Sequence, residues 1–251
     1  MNYKVGILTF HWATNYGAVL QCYALQETIK NHCNCSVEVI DYYPAYLKTG
    51  LHSVLSARSF GSLKTTILQI LREKKIKQFR DKNLSVSSLH FNYGNEINNV
   101  YDVIICGSDQ VWNPAFIRYG EKKTTLTYFL DFASNKCKRI SYACSFGTDS
   151  LSDDIVEIIL PELRKFTAIS VRENSGKHIL ELMNIDSKVV CDPTLLLFRS
   201  HYLSLINVQK NECEYCFLYF LHEKNYLHQF IIQLSLRFVI IVNLIYQLKI
   251  G

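Results

Sequence analysis

Val5-Gly6-Ile7-Leu8-Thr9-Phe10-His11-Trp12-Ala13-Thr14-Asn15-Tyr16-Gly17 is the stretch that decides the fold class of this chain. It opens on four residues without a polar side chain, the pattern of a short strand buried on both faces. It ends on a glycine from which Gly17–Asn31 reads as a helix, with Val19, Leu20, Tyr23, Ala24 and Ile29 among its apolar positions. A strand handing over to a helix through a polar loop is the repeating unit of a parallel sheet. The rest of the chain repeats it. Val37–Asp41, Val103–Cys106, Ala168–Val171 and Val189–Cys191 read as further short strands. Leu63–Lys82, Asp153–Lys165 (capped at Ser152) and Ser175–Met183 read as helices. Leu126–Phe132 and Arg139–Ser145, dense in aromatic and β-branched residues, read as two more strands. Residues 1–197 are therefore expected to form one doubly wound, mainly parallel α/β domain. Residues 198–251 are expected to give a connecting helix over 198–212, then strand, helix and strand at Cys216–Leu221, Asn225–Leu236 and Phe238–Leu244. Three such elements cannot cover both faces of a parallel sheet, so the second unit is expected to be incomplete.

Composition narrows the function classes. With 251 residues, 49% hydrophobic and 20% charged, the chain is neither disordered nor of low complexity. The net charge of +5 carries no dense Lys/Arg stripe with interleaved aromatics, so nucleic acid is not an expected partner. Leu63–Lys82 has a basic face (Arg72, Lys74, Lys75, Lys77, Arg80) that reads as solvated. Nine cysteines, an odd count, follow no secretory pattern. Reduced thiols and a cytoplasmic location are expected. Cys33-x-Cys35 is poorly spaced for zinc, and no His pair stands at finger spacing beside Cys213-x-x-Cys216. No metal is expected. Phe230–Leu248 is apolar enough to raise a membrane span, but Arg237 at its centre would cost about 2.5–3.5 kcal/mol there. A soluble helix followed by a buried strand is expected instead.

Ligands of parallel sheets bind beyond the carboxyl ends of the strands, so the chemistry is sought in the loops that follow each strand. Thr9–Gly17 brings His11, Asn15, Tyr16 and Gly17 to a helix N-terminus, which can hold a phosphate or carboxylate; a plain turn capped by Asn15 is the other reading. Gly107-Ser108-Asp109-Gln110-Val111-Trp112-Asn113-Pro114 is dense in hydrogen-bonding groups, and Trp112 offers a flat face for a sugar ring. A self-stabilising turn is the alternative. Ser145 closes the next strand. Arg172 follows another and suits a carboxylate or phosphate, or a structural pairing with Glu173 or Asp192. Asp192 before Pro193 reads as a structural strand-end turn. Asp109 is the favoured base or hydroxyl-orienting residue. His11 comes second, because an imidazole titrates near neutrality; a turn-stabilising role is the alternative for both.

Five of these segments, in this order, resemble the motifs of the polysaccharide pyruvyl transferase family. They are Thr9-Phe10-His11 with Asn15-Tyr16-Gly17-Ala18-Val19-Leu20-Gln21, Gly107 to Asn113, Ile140-Ser141-Tyr142-Ala143 with Ser145-Phe146-Gly147, Ser170-Val171-Arg172-Glu173, and Asp192-Pro193-Thr194-Leu195-Leu196. The resemblance implies a GT-B-like pair of Rossmann-like domains. Residues 1–197 would be the acceptor side and 198–251 part of the donor side. It implies transfer of a pyruvyl group from phosphoenolpyruvate, a substrate rather than a cofactor, to sugar hydroxyls of a cell-surface polysaccharide as a ketal. Phosphate would be released. The implied partners are a sugar or polysaccharide-precursor acceptor, with peripheral membrane association through a lipid-linked acceptor. Members of the family run on through a full second domain. An apparently truncated chain is thus expected to be inactive alone, poorly soluble or associated into an oligomer. Two other classes are a sugar-nucleotide glycosyltransferase of the same architecture and a non-catalytic remnant or partner subunit.

Overall fold

The computed structural model describes residues 3–45, 60–97, 100–118, 126–206, 215–218 and 239–242. The chain divides into two compact units, Met1–Phe198 and Arg199–Gly251.

The first unit is built on a parallel sheet. Its strands are β1 (Tyr3–Leu8), β2 (Cys35–Tyr42), β3 (Val86–Phe91), β4 (Val103–Cys106) and β5 (Lys138–Ser141), in the order β3-β2-β1-β4-β5. Every pairing in it is parallel, with Val5 opposite Val37 on one side and Val103 on the other. Isolated parallel bridges, Ile140 with Ala168 and Cys144 with Val171, carry the same direction on to β6 (Ser170–Val171), which pairs β7 (Lys188–Val189). This is a Rossmann-like α/β arrangement. β1 sits at its centre because Val5, Ile7 and Leu8 have no polar face to turn to water.

The helices are α1 (Tyr16–His32), α2 (Phe60–Asn83), α3 (Pro114–Arg118), α4 (Asp153–Leu163) and α5 (Asn174–Leu182). α1 buries Ala18, Val19, Cys22, Ala24 and Leu25. Its Gln26 is fully buried and bridges two elements: Nε2 donates to Asn83 O at 3.1 Å, and Oε1 accepts from Ser85 N at 2.6 Å. That pair fixes the end of α2 and the entry to β3 against α1.

Three expectations are corrected. Leu126–Phe132 is not a strand; Thr127–Phe129 is a 3-10 turn ending in a left-handed Leu130 (φ 59°). Both edges of β4 are already taken, by β1 and β5, and Tyr128 and Phe129 go into the core instead. Arg139–Ser145 stops as a ladder at Ser141, because the chain turns through a left-handed Ala143 (φ 52°). β3 was not expected. It is an edge strand whose Ser87, Ser88 and His90 carry no apolar alternation.

In the second unit α6 (Arg199–Leu203) is followed by the parallel pair β8 (Tyr215–Leu218) and β9 (Val239–Val242). The helix expected at Asn225–Leu236 lies outside the described residues, as does Phe230–Leu248 apart from β9. No helix among the described residues is long and apolar enough to cross a membrane.

Candidate functional site

With all strands parallel, the loops after β1, β4, β5 and β6 emerge on one edge of the sheet. The strand order reverses direction between β1 and β4, and a crevice opens at such a point in α/β sheets. Here the loops are pulled together by a buried chain. Gln21 Nε2 donates to Thr9 Oγ1 at 2.8 Å, and Thr9 Oγ1 donates to Ser108 O at 2.8 Å. Gly107 allows this approach: a Cβ there would lie 3.1 Å from that of Thr9.

Ser108, Asp109, Arg172 and Asp192 form the polar centre. Ser108 Oγ donates to Asp192 Oδ2 at 3.1 Å and faces Arg172 Nη1 at 3.4 Å. Arg172 Nη1 also reaches Asp192 Oδ2 at 3.3 Å, while its Nε donates to Glu173 at 3.0 Å. The second Asp192 oxygen accepts from Thr194 N at 3.0 Å and Thr194 Oγ1 at 2.8 Å, capping the 3-10 turn Pro193–Leu195. Asp192 thus has the expected structural role and a place in the site as well.

Asp109 stands in a backbone region that side chains avoid, with φ 96°. Both ends of the peptide hold it there. Its carbonyl accepts from Ser145 N at 3.0 Å, and its Oδ1 accepts from Gln110 N at 2.8 Å. Burial pushes its carboxyl above the ordinary range; the Gln110 amide and the Arg172 charge pull it back, and Asp192 adds to the rise. Burial works against the charge on Arg172, but Glu173, Asp109 and Asp192 outweigh it and hold the guanidinium firmly protonated. Gly147 (φ 64°) closes the loop after β5 against Gln110 and Asn113, where a Cβ would sit 2.7 Å from either. Ser145 is buried, and its Oγ accepts from Gly147 N at 3.1 Å. One guanidinium therefore stands among three carboxylates, one of which resists ionisation.

The remaining expected residues divide. Asn15 is the N-cap of α1, its Oδ1 accepting from Gly17 N at 2.8 Å and Ala18 N at 3.3 Å. The helix N-terminus read as an anion site is therefore occupied in part by its own cap. Tyr16 is exposed, with the Arg72 guanidinium 5.1 Å from its ring centre. Arg80 donates to Trp12 O at 2.6 Å and Glu73 at 2.8 Å, and Thr14 donates to Glu73. Arg80, read as part of a solvated face, instead grips the loop before α1, and Arg72 covers the ring of Tyr16 at the start of that helix. Trp112 is not a sugar platform. It is fully buried, stacked on Phe129 at 5.4 Å and 10°, with Nε1 donating to Tyr128 O at 3.0 Å. His11 is 3% exposed, and both ring nitrogens face protein acceptors, Thr9 O at 3.3 Å and Asp41 Oδ1 at 3.2 Å. Neither nitrogen is left for a substrate, so its expected role in proton transfer is not met by this geometry.

Asp41 and His90 are polar residues on the same edge that the sequence reading passed over. Asp41 lies near the end of β2, a position that the rule of strand ends reaches. His90 lies on the unexpected β3.

The polysaccharide pyruvyl transferase family matches residues 15–246 of this chain. No curated protein matches it, and no solved structure does.

Proposed function

The chain belongs to the polysaccharide pyruvyl transferase family, and we propose that it transfers the pyruvyl group of phosphoenolpyruvate to two hydroxyls of a sugar. The sugar belongs to a cell-surface polysaccharide or its precursor, and the product is a ketal. The observation that carries the reading is Asp109: a carboxyl whose protonated form is favoured by burial, in a strained backbone held from both sides, beside Arg172 and Asp192. Strain of this kind costs about 1–3 kcal/mol and concentrates at functional sites.

The reaction needs what such a group supplies. A proton adds to the methylene carbon of the enolpyruvyl group, and the cationic carbon beside it is attacked by a sugar hydroxyl, which loses its proton. The carbon–oxygen bond to phosphate then breaks, and the second hydroxyl closes the ketal. Two hydroxyl protons are released; one balances the new methyl group and the other leaves with phosphate. Asp109 gives the first proton and takes one back from a hydroxyl. Ser108 and Arg172 orient the acceptor. With Asp109, Asp192 and Glu173 around Arg172, this edge suits a neutral polyol better than the highly charged donor. Met1–Phe198 is therefore read as the acceptor side. The second unit is read as part of the donor side of a GT-B-like pair. The reaction is read as cytoplasmic, and a lipid-linked precursor would bring the protein to a membrane surface.

The test is phosphate release from phosphoenolpyruvate by the full chain, with a panel of sugars. Release should depend on the sugar, and Asp109→Asn should lower kcat by about 10²–10⁴-fold, the usual share of general acid–base catalysis. Unchanged turnover in Asp109→Asn, or release of nucleotide from a sugar nucleotide instead, would overturn the reading.

A further inference from the structure

A second polar cluster lies along the same edge, over β1, β2 and β3. Asp41 holds a histidine with each oxygen: His11 Nε2 at 3.2 Å from Oδ1 and His90 Nδ1 at 3.0 Å from Oδ2. The Asp41 backbone amide donates to Ser87 Oγ at 3.0 Å, which ties the end of β2 to β3. The two histidines differ in what they can offer. His11 is buried with both nitrogens engaged. His90 has a side chain 45% exposed, and among the described residues Asp41 alone bonds its ring. A carboxylate only accepts, so the His90 Nδ1 that faces it carries the hydrogen, which leaves Nε2 on the far side of the ring. The Asp41 side chain itself is 29% exposed.

This wiring is poorly explained as a stabilising device. A contact as exposed as that of His90 with Asp41 contributes little to stability. It does fix the orientation of a half-exposed imidazole. Tyr93, half exposed, follows at the end of the same strand and supplies a flat aromatic surface. Hydrogen-bonding side chains and an exposed aromatic ring are the chemistry that recognises a sugar ring and its hydroxyls.

Its distance from Ser108 gives the substrate class. β3 and β4 are separated by β2 and β1, and three steps of about 4.8 Å set His90 about 14 Å from Ser108 across the sheet. That is too far for one sugar ring to meet both, and a fitting span for a short oligosaccharide. The clusters are also joined: Thr9 bonds Ser108 through its hydroxyl and His11 through its carbonyl. Resting on the reading of the Ser108–Asp109 centre as the pyruvyl acceptor site, we propose that His90 and Asp41 form a second sugar subsite, which binds a neighbouring residue of an oligosaccharide acceptor. His90 contacts a hydroxyl of that residue, and Asp41, backed by buried His11, sets the ring direction.

The experiment compares monosaccharides with the matching trisaccharides of galactose, glucose, mannose and N-acetylmannosamine, using the full chain. Binding is read by saturation-transfer NMR without donor, and transfer by phosphate release. The trisaccharide should bind more tightly than the monosaccharide. His90→Ala should weaken the trisaccharide about tenfold, appearing in KM with kcat unchanged, and leave the monosaccharide as it was. His90→Asn, which keeps a donor for Asp41 but lacks the outer nitrogen, should behave like His90→Ala if the contact is made by Nε2. Equal affinity for both lengths, no binding of any sugar, or a trisaccharide constant unmoved in both variants would overturn the subsite. Trisaccharide binding that depends on His90 in a chain that transfers no pyruvyl group would uphold the subsite and sink the pyruvyl reading alone.

Discussion

Asp109 shows how a single residue can be destabilising by design of its surroundings. Its folded-state carboxyl lies above the ordinary range, chiefly through burial. The sign follows from linkage. The stability tied to its protonated form is fully present below about pH 4, the unfolded value, and is lost as pH rises through the folded value. Asp109→Asn cannot ionise, and Asn tolerates positive φ better than most residues. Its melting temperature should therefore exceed that of the native chain at pH 7, with the gap closing as pH falls toward 4 in thermal scans. A variant that is more stable and less active would match a functional residue under strain. Trp112 is the opposite case. Trp112→Ala removes a fully buried indole stacked on Phe129, and should cost about 3–5 kcal/mol in urea unfolding. The sequence could place both residues in a polar loop after an apolar strand. It could not separate them, because Phe129 and Phe146, which pack on Trp112, come from distant segments. The φ of Asp109 is set by Ser145, equally remote.

At the scale of elements, the legible pieces were those buried on both faces. β1 and β4 are continuous apolar runs and were readable within a residue or two. β3, at the sheet edge with one buried phenylalanine at its end, has the composition of a loop. The aromatic run at Leu126–Phe132 has strand composition, but the ladder has no free position beside β4. α1 also illustrates a role that sequence left open between two readings. Asn15 is satisfied by Gly17 and Ala18 amides, so Asn15→Ala should lower stability by about 0.5–2 kcal/mol in urea titrations. A loss of sugar binding with no change in stability would instead mark Asn15 as a ligand contact. Glu73 and Arg80 of α2 hold the loop that enters α1, and Arg72 covers the ring of Tyr16 at its start. Helical periodicity alone shows such residues as outward-facing and gives no sign of what lies opposite.

For the whole molecule, one architectural fact governs how the chain must come together. β1 is paired on one flank with Tyr3 opposite Cys35 and on the other with Val5 opposite Val103. A ribosome adds about 5–20 residues per second. The second flank of the central strand therefore has no partner for roughly 5–20 s after β1 is made, long enough for an open strand edge to meet another nascent chain. Synthesis speed through the first hundred codons, and the chaperones that shield an unpaired edge, thereby become determinants of yield for a protein whose finished sheet gives no hint of that exposure.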